Sequence, residues 1–174
     1  MSAVNFTVKG LFLHWAKIFK PKIFVELIVP LNQKIRMPNP FHLAIPVDNL
    51  EKCSAFYRDI LGCTAGRSDT HWIDYDFFGH QLVLHVDPHH NPHKHHNEVD
   101  GKSVPVPHFG VVLDWNDFTA FAAQLTAKGV DFIIPPYLRF EGLPGEQMTM
   151  FFYDPAGNPL EFKSFKNMDQ LFAT

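Results

Sequence analysis

From residue 41 onward, the spacing of apolar and polar positions predicts one strand, one helix and three strands, in that order. The first strand covers 41–47, and the helix covers 50–60 because its apolar residues recur every three or four positions. Asp48 or Asn49 is placed to cap the helix, and Leu61-Gly62 ends it. Three short strands are predicted near 64–67, 72–77 and 81–86.

The same order follows a second time. A strand is predicted at 106–113, then a helix from about 115 to 128 that is closed by Lys128-Gly129. Strands are predicted near 132–134, 148–153 and 160–163. The segment 87–103 between the two passes is rich in His, Pro, Asn and charged residues, so it is predicted to be a loop. The fold class is therefore α+β, built from two βαβββ repeats.

The first 36 residues differ from the rest in charge. They contain six basic residues and the single acid Glu26, which gives +5 and leaves −8 for the remainder of a chain whose net charge is −3. We therefore divide the chain into a basic extension, 1–36, and a domain, 37–174. The extension is interpreted as a targeting leader, as sequence upstream of a natural start at Met37, or as a structural arm. It has no window of about 20 apolar residues, so no membrane span is expected.

Composition narrows the possible partners. The 174 residues include 46% apolar residues, which suffices for one packed core. Charged residues make up 19%, so neither a nucleic acid nor a membrane is expected as a partner. The two cysteines, Cys53 and Cys63, indicate buried thiols in a reducing compartment rather than a disulfide framework. A cytoplasmic location is predicted, or an organelle if 1–36 is a targeting leader.

Three polar residues interrupt runs that otherwise read as buried strands. His42, His108 and Glu161 lie in Phe-His-Leu-Ala-Ile-Pro-Val, Pro-His-Phe-Gly-Val-Val-Leu and Asn-Pro-Leu-Glu-Phe-Lys. Burying a polar group without a partner costs roughly 2–7 kcal/mol. A bound metal ion would remove that cost for all three, and two imidazoles with one carboxylate are typical of non-haem Fe(II) sites. We predict a mononuclear metal site with these ligands.

The chain also resembles a known superfamily over about residues 39–166. The similar segments include Ala-Phe-Tyr-Arg-Asp-Ile-Leu-Gly-Cys, Val-Pro-His-Phe-Gly-Val-Val-Leu and Phe-Tyr-Asp-Pro-Ala-Gly-Asn-Pro-Leu-Glu-Phe. They resemble the vicinal oxygen chelate superfamily, which includes glyoxalase I, extradiol dioxygenases and fosfomycin-resistance proteins. Phe-Gly-His-Gln-Leu and Arg-Phe-Glu-Gly-x-Pro-Gly-Glu-Gln are similar to bacterial extradiol-dioxygenase-like proteins. The resemblance implies a metal-holding cup between two sheets, with His42, His108 and Glu161 as ligands, and a homodimer.

Two positions depart from the patterns of the superfamily. Glyoxalase I has a fourth, acidic ligand at the position that Val83 occupies in this chain, so a three-ligand site is favoured. Ring-cleaving dioxygenases have a tyrosine ten residues before the ligand glutamate, where this chain has Phe151. The resemblance to those dioxygenases therefore includes the metal ligands and lacks one hydrogen-bonding group.

Further candidate residues surround the predicted site. We assign Gln81, His85 and Arg139 as catalytic: Gln81 and His85 share one face of a strand, and His85 is a candidate acid or base because histidine is the side chain suited to that role near neutral pH. Arg139 is a candidate for pairing with a substrate carboxylate, or for pairing with Glu141 or Glu146 in a surface hairpin. The histidine-rich segment is interpreted as a flap over the cup or as an adventitious metal-binding tract. Its histidines are His89, His90, His93, His95 and His96.

The predicted function is that of a mononuclear metal-dependent enzyme acting on a catechol-like small molecule with two neighbouring oxygens, as a dioxygenase. The expected ion is Fe(II), with Mn(II), Zn(II) or Ni(II) as alternatives. Three other functions stay open: a glyoxalase-like lyase or isomerase, a thiol transferase of the fosfomycin-resistance type, and a non-enzymatic small-molecule-binding protein.

Overall fold

The computed structural model describes residues 39–92 and 95–172. The extension predicted for residues 1–36 lies outside the described residues. The order of elements is that predicted, with one hairpin added between the repeats. The strands are β1 (His42–Val47), β2 (Thr64–Asp69), β3 (Trp72–Phe77), β4 (His80–Val86), β5 (His96–Val99), β6 (Lys102–Pro105), β7 (Phe109–Val112), β8 (Phe132–Arg139), β9 (Gln147–Tyr153) and β10 (Pro159–Phe165).

Two four-stranded sheets confirm the duplicated βαβββ prediction. Sheet 1 has the order β1-β4-β3-β2, and sheet 2 has the equivalent order β7-β10-β9-β8. In each sheet the first strand of the repeat is an edge strand that lies parallel to the last strand, and the other neighbours are antiparallel. Each first strand therefore pairs with a strand much later in the chain, as His42 with Gln81 and Phe109 with Leu160.

One helix follows the first strand of each repeat. Helix α1 (Leu50–Ala55) begins at Asn49, whose side chain accepts a hydrogen bond from the Lys52 backbone N–H. It continues as a π-helical turn, Phe56–Ile60, so the predicted helix 50–60 is wider in its last turn than an α-helix. Helix α2 (Trp115–Ala127) has the predicted extent. A 3₁₀ turn, Met168–Gln170, follows β10.

Both sheets turn their helix-bearing faces into one shared core. The rings of Phe77 in sheet 1 and Phe162 in sheet 2 lie 6.0 Å apart, and Phe152 stacks on Phe162. Tyr57 is fully buried and donates a hydrogen bond of 3.0 Å to the Asp154 carboxylate in the β9–β10 turn. Side chains alternate between the two faces of a sheet, so the neighbours of each core residue along a strand point away from the core. We call this second face of each sheet the outer face.

The segment predicted to be a loop contains a β-hairpin formed by β5 and β6. It lies against the outer face of sheet 2, where Val104 packs with Ile134 and Phe151. The Lys102 ammonium lies 4.4 Å from the centre of the Tyr137 ring. The sequence did not reveal this hairpin because β5 is exposed and polar, so it lacks the apolar alternation that marks a half-buried strand.

Strand β8 is longer than predicted. It runs through Pro135 and Pro136 to Arg139, five residues beyond the predicted end at 134. Because β8 is the edge strand of sheet 2, prolines there remove few ladder hydrogen bonds, and the pairing with β9 shifts register on both sides of Ile134.

The prediction of two buried thiols is confirmed. Cys53 and Cys63 are free and buried. Burial raises the pKa of each thiol to about 12. Within residues 39–92 and 95–172, no helix is long and apolar enough to cross a membrane.

Gly110 permits the close contact between β7 and β10. A Cβ atom added at Gly110 would lie 1.6 Å from the Glu161 carbonyl oxygen. We expect Gly110→Ala to force the strands apart and to lower the free energy of unfolding by at least about 1–3 kcal/mol, measured by urea denaturation.

Gly66→Ala is the matched control for this change. Its added Cβ would meet the Asp74 Cβ at 3.3 Å, so only a slight local shift between β2 and β3 is needed to accommodate it. Equal stability of Gly110→Ala and the unchanged protein would contradict the close contact between β7 and β10.

Candidate metal centre

His108 and Glu161 meet on the outer face of sheet 2. Glu161 lies on β10 and pairs with Gly110 of β7, and His108 directly precedes β7. The His108 Nε2 atom lies 3.2 Å from Glu161 Oε2. The parallel pairing of β7 and β10 therefore brings together two of the three predicted ligands.

The orientation of the His108 ring is fixed by its other nitrogen. Nδ1 donates a hydrogen bond of 2.7 Å to the Pro105 carbonyl oxygen at the end of β6, so Nε2 is the atom presented to Glu161. The Phe151 ring packs edge-on against the imidazole at 5.1 Å. The hydrogen bond to Glu161 raises the pKa of His108 against the opposing effect of burial, and the Pro105 carbonyl adds to the rise.

Glu161 is only 8% exposed, yet its carboxylate has several partners. Thr149 Oγ1 donates to Oε1 at 2.8 Å, and the Lys163 ammonium lies 3.0 Å from Oε2. Burial alone would raise the pKa of Glu161. The His108 hydrogen bond, the Lys163 charge and the Thr149 hydroxyl outweigh burial and lower it, so the carboxylate is kept ionised.

His42 lies on the outer face of sheet 1 and is exposed. Its Nδ1 atom is 2.7 Å from Gln81 Oε1, and the Gln81 Nε2 atom donates to the Asp74 carboxylate at 3.2 Å. Arg67 holds the same Asp74 oxygen. Since a carboxylate only accepts, Gln81 must turn its amide nitrogen to Asp74 and its oxygen to His42. His42 therefore carries its proton on Nδ1, which leaves Nε2 as the lone-pair nitrogen.

A single chain does not assemble all three predicted ligands. Among residues 39–92 and 95–172, no group of three or more His, Cys, Asp or Glu side chains is placed to hold a metal ion. His108 and Glu161 are together, whereas His42 is held by Gln81 on the other sheet. The cause is the shared core: the helix-bearing faces meet, so the two outer faces do not face each other within one chain.

The pairing of the strands shows where Val83 and Phe151, the two departures from the superfamily pattern, lie relative to Glu161. His42 is opposite Gln81, and continuing the β7–β10 register by one residue sets His108 opposite Pro159. Val83 is therefore the counterpart of Glu161 in sheet 1, and it offers no metal ligand. Phe151 is the direct cross-strand neighbour of Glu161 and offers no hydroxyl.

The residues predicted to be catalytic have different environments. Gln81 contacts His42, and His85 lies further along the same face of β4, exposed. Arg139 forms an ion pair with Asp100 in the β5–β6 turn, and not with Glu141 or Glu146 as the alternative prediction had it. Arg139 therefore fastens the hairpin to sheet 2.

The histidine-rich segment is divided between different structures. His96 begins β5, and His90 lines a cavity of about 240 Å³ together with Pro92, His108 and apolar residues of both repeats. His42 and Glu161 do not line this cavity, so His108 is the predicted ligand that it contacts.

Three residues of the site were not singled out from the sequence: Asp74, Thr149 and Lys163. Strand alternation was the available signal for Lys163, because residues two apart on a strand share a face and Lys163 follows Glu161 by two. Thr149 and Asp74 are set by pairing registers between strands, which a single sequence does not display.

The described part of the chain thus consists of two βαβββ repeats, with His42, His108 and Glu161 on the outer faces of their sheets. Residues 40–162 match the model of the Glyoxalase/Bleomycin resistance protein/Dioxygenase superfamily. The chain belongs to this superfamily.

Solved structures agree with this assignment. A glyoxalase/bleomycin resistance protein/dioxygenase from Alicyclobacillus acidocaldarius is 34% identical, over 78% of this chain and 97% of that one, with a TM-score of 0.66. A fosfomycin resistance protein from Listeria monocytogenes is 16% identical (77% and 98% covered, TM-score 0.58). A lactoylglutathione lyase from Agrobacterium tumefaciens is 17% identical (79% and 98% covered, TM-score 0.53). The last two show a shared fold alone. A search of curated proteins gave no match.

The Gln81 contact makes a prediction about the His42 ring. We expect the neutral His42 imidazole to carry its proton on Nδ1, and we expect Gln81→Leu to shift the proton largely to Nε2, because the acceptor that fixes it is lost. Nitrogen-15 chemical shifts of the ring distinguish the two forms without any metal. Gln124→Leu, on an exposed face of α2, is the control and should leave His42 unchanged. A His42 proton already on Nε2 in the unchanged protein would refute the Asp74–Gln81 orientation.

Proposed function

We propose that this protein is a mononuclear metal-dependent enzyme that binds a small molecule through two neighbouring oxygen atoms. His42, His108 and Glu161 are the proposed ligands. The observation that carries the proposal is the convergence of His108 Nε2 and Glu161 Oε2, 3.2 Å apart on a largely buried sheet face.

The donor set fits a divalent ion. Both imidazoles have their Nδ1 atoms engaged, by Pro105 and by Gln81, so both offer Nε2. Metal-binding histidines commonly use their second nitrogen in this way, which fixes the ring and its tautomer. Two neutral imidazoles and a carboxylate suit Fe(II), which we propose, and also Mn(II), Zn(II) or Ni(II).

The remaining side chains position these ligands and the substrate. A bound ion supplies Lewis acidity and a template for two oxygens, and with Fe(II) it also permits O₂ chemistry. Thr149 holds one carboxylate oxygen of Glu161, and the β5–β6 hairpin limits water at this face. His85 is the proposed proton acceptor, because it shares the outer face of β4 with Gln81 and lies open to solvent.

We propose a homodimer in which His42 of one copy completes the His108–Glu161 pair of the other. Within one chain the outer faces of the two sheets do not meet. A two-fold axis that sets sheet 1 of each copy against sheet 2 of the other would form two equivalent sites, since a two-fold interface presents the same patches on both subunits.

This arrangement predicts complementation between two inactive variants. His42→Ala and Glu161→Ala alone should each lose stoichiometric metal. A heterodimer of the two, purified through different affinity tags, should bind about one metal ion per dimer, because one of its two sites keeps all three ligands. Metal content by mass spectrometry after anaerobic purification measures this.

Two results would count against the arrangement. Full metal content in His42→Ala alone would remove His42 from the ligand set. A heterodimer without metal, beside an unchanged protein that binds one ion per chain, would place all three ligands in one chain.

For the reaction we propose dioxygenation of a catechol-like substrate. Val83 in place of a fourth acidic ligand argues against a glyoxalase-like isomerase. The second candidate is a thiol transferase, favoured over ring cleavage by Phe151, which lacks the hydroxyl used in that reaction. A non-enzymatic binding protein of the same fold is the remaining alternative.

Oxygen uptake separates these functions. The Fe(II)-loaded protein should consume O₂ with at least one member of a catechol panel, and Glu161→Ala should lower the rate by 10²-fold or more, as expected when an ion is lost from its site. Gln124→Leu, away from the proposed site, is the control and should consume O₂ at the rate of the unchanged protein. Stoichiometric metal without oxygen uptake would favour the thiol transferase, tested by glutathione consumption with an epoxide substrate. If no metal binds and added Fe(II), Mn(II) or Zn(II) leaves the melting temperature unchanged, the binding protein is favoured.

A further inference from the structure

Lys163 forms an ion pair with Glu161, one of the proposed metal ligands. Its ammonium lies 3.0 Å from Glu161 Oε2, the same oxygen that His108 Nε2 approaches to 3.2 Å. Lys163 follows Glu161 by two residues on β10, so strand alternation and this contact agree in placing it on the outer face. Its side chain is 29% exposed, which leaves the ammonium space to move.

Lys163 compensates the negative charge of the buried Glu161 carboxylate. Glu161 is nearly inaccessible to water, and an ionised carboxylate in such a place requires a nearby positive charge or several hydrogen bonds. Lys163 supplies a full charge, and Thr149 supplies one hydrogen bond to the other oxygen. The ammonium thus contacts Oε2, the carboxylate oxygen that a metal ion would also contact.

A divalent ion and the ammonium repel each other when both lie on one carboxylate oxygen. An ion on Oε2 would therefore favour release of Lys163 from Glu161. The flexible stem of a lysine allows its ammonium to turn while staying on the same sheet face. The neighbouring outer-face residues Phe151, Thr149 and Tyr137 carry no charge that would take the place of Glu161.

The charge balance then indicates what the site accepts. A divalent ion and Lys163 bring three positive charges, and Glu161 removes one. Lys102, held over the Tyr137 ring, adds another positive charge to this face. Arg139 does not contribute, since Asp100 neutralises it. The site is thus strongly positive beside the ion, and electrostatic complementarity favours a ligand with a negative charge beyond its chelating oxygens.

We propose that Lys163 exchanges the Glu161 carboxylate for a carboxylate of the substrate when the ion binds. The substrate class is then a small carboxylic acid that also offers two neighbouring oxygens to the ion, such as a catechol bearing a carboxylate. This inference rests on the proposed function, and it names the group that selects the substrate.

The experiment measures two affinities that Lys163 should change in opposite directions. In Lys163→Met, the metal-free protein should bind Zn(II) about tenfold more tightly, because the competing ammonium is gone. The Zn(II)-loaded protein should then lose its preference for 3,4-dihydroxybenzoate over catechol, two probes that differ by one carboxylate. The unchanged protein should prefer the carboxylate by roughly tenfold.

Two further variants control for side effects. Lys163→Arg keeps the charge and should keep the preference for the carboxylate probe. Lys166→Met removes a lysine that pairs with Glu146 elsewhere on the domain, and it should change neither affinity. Both variants are measured by titration calorimetry with Zn(II), so no oxygen is consumed.

The possible results distinguish a failure of the proposed function from a failure of the Lys163 exchange alone. If the unchanged protein binds no stoichiometric Zn(II), the proposed function and this inference both fail. If it binds Zn(II) but Lys163→Met alters neither the metal affinity nor the preference, only the exchange by Lys163 is wrong. Opposite changes in Lys163→Met, with normal behaviour of Lys163→Arg and Lys166→Met, support the exchange.

Discussion

The burial of one ionised carboxylate governs the arrangement of the second sheet. Glu161 lies in an apolar strand, and its charge is stable there only because Thr149, His108 and Lys163 approach it from three neighbouring positions. Each of these contacts depends on a particular pairing of strands. The register of β7, β9 and β10 is therefore tied to the position of the carboxylate, because a shift of any of these strands would remove a partner of Glu161.

A second constraint sets the direction in which the site opens. The aromatic side chains between the repeats bind the helix-bearing faces of both sheets into one core, with Phe77 and Phe162 at their contact. The polar residues of both sheets are consequently left on faces that diverge. His42 and His108 hold equivalent places in two similar sheets, and the core that stabilises the chain is also what separates them.

The sequence predicted the parts of this architecture that local patterns encode. The helices, most strands and the placement of His108 and Glu161 follow from periodicity, because each strand has one face in the core. The β5–β6 hairpin could not be predicted in this way, since its residues are polar and pair mainly with one another. The partner of Arg139 was also missed, because Asp100 is 39 residues distant and only the hairpin brings it near. That His42 stands apart from the other two ligands depends on how the repeats pack, which is a property of the core as a whole.

The buried cysteines have a consequence for any chemistry that involves oxygen or soft metals. Only a thiolate is a strong metal ligand and nucleophile, and burial keeps Cys53 and Cys63 protonated with pKa values of about 12. At physiological pH neither sulfur competes with imidazole and carboxylate for an ion, and neither is readily oxidised. The domain thus keeps its two thiols buried and protonated, chemically isolated from the histidines on its exposed surface.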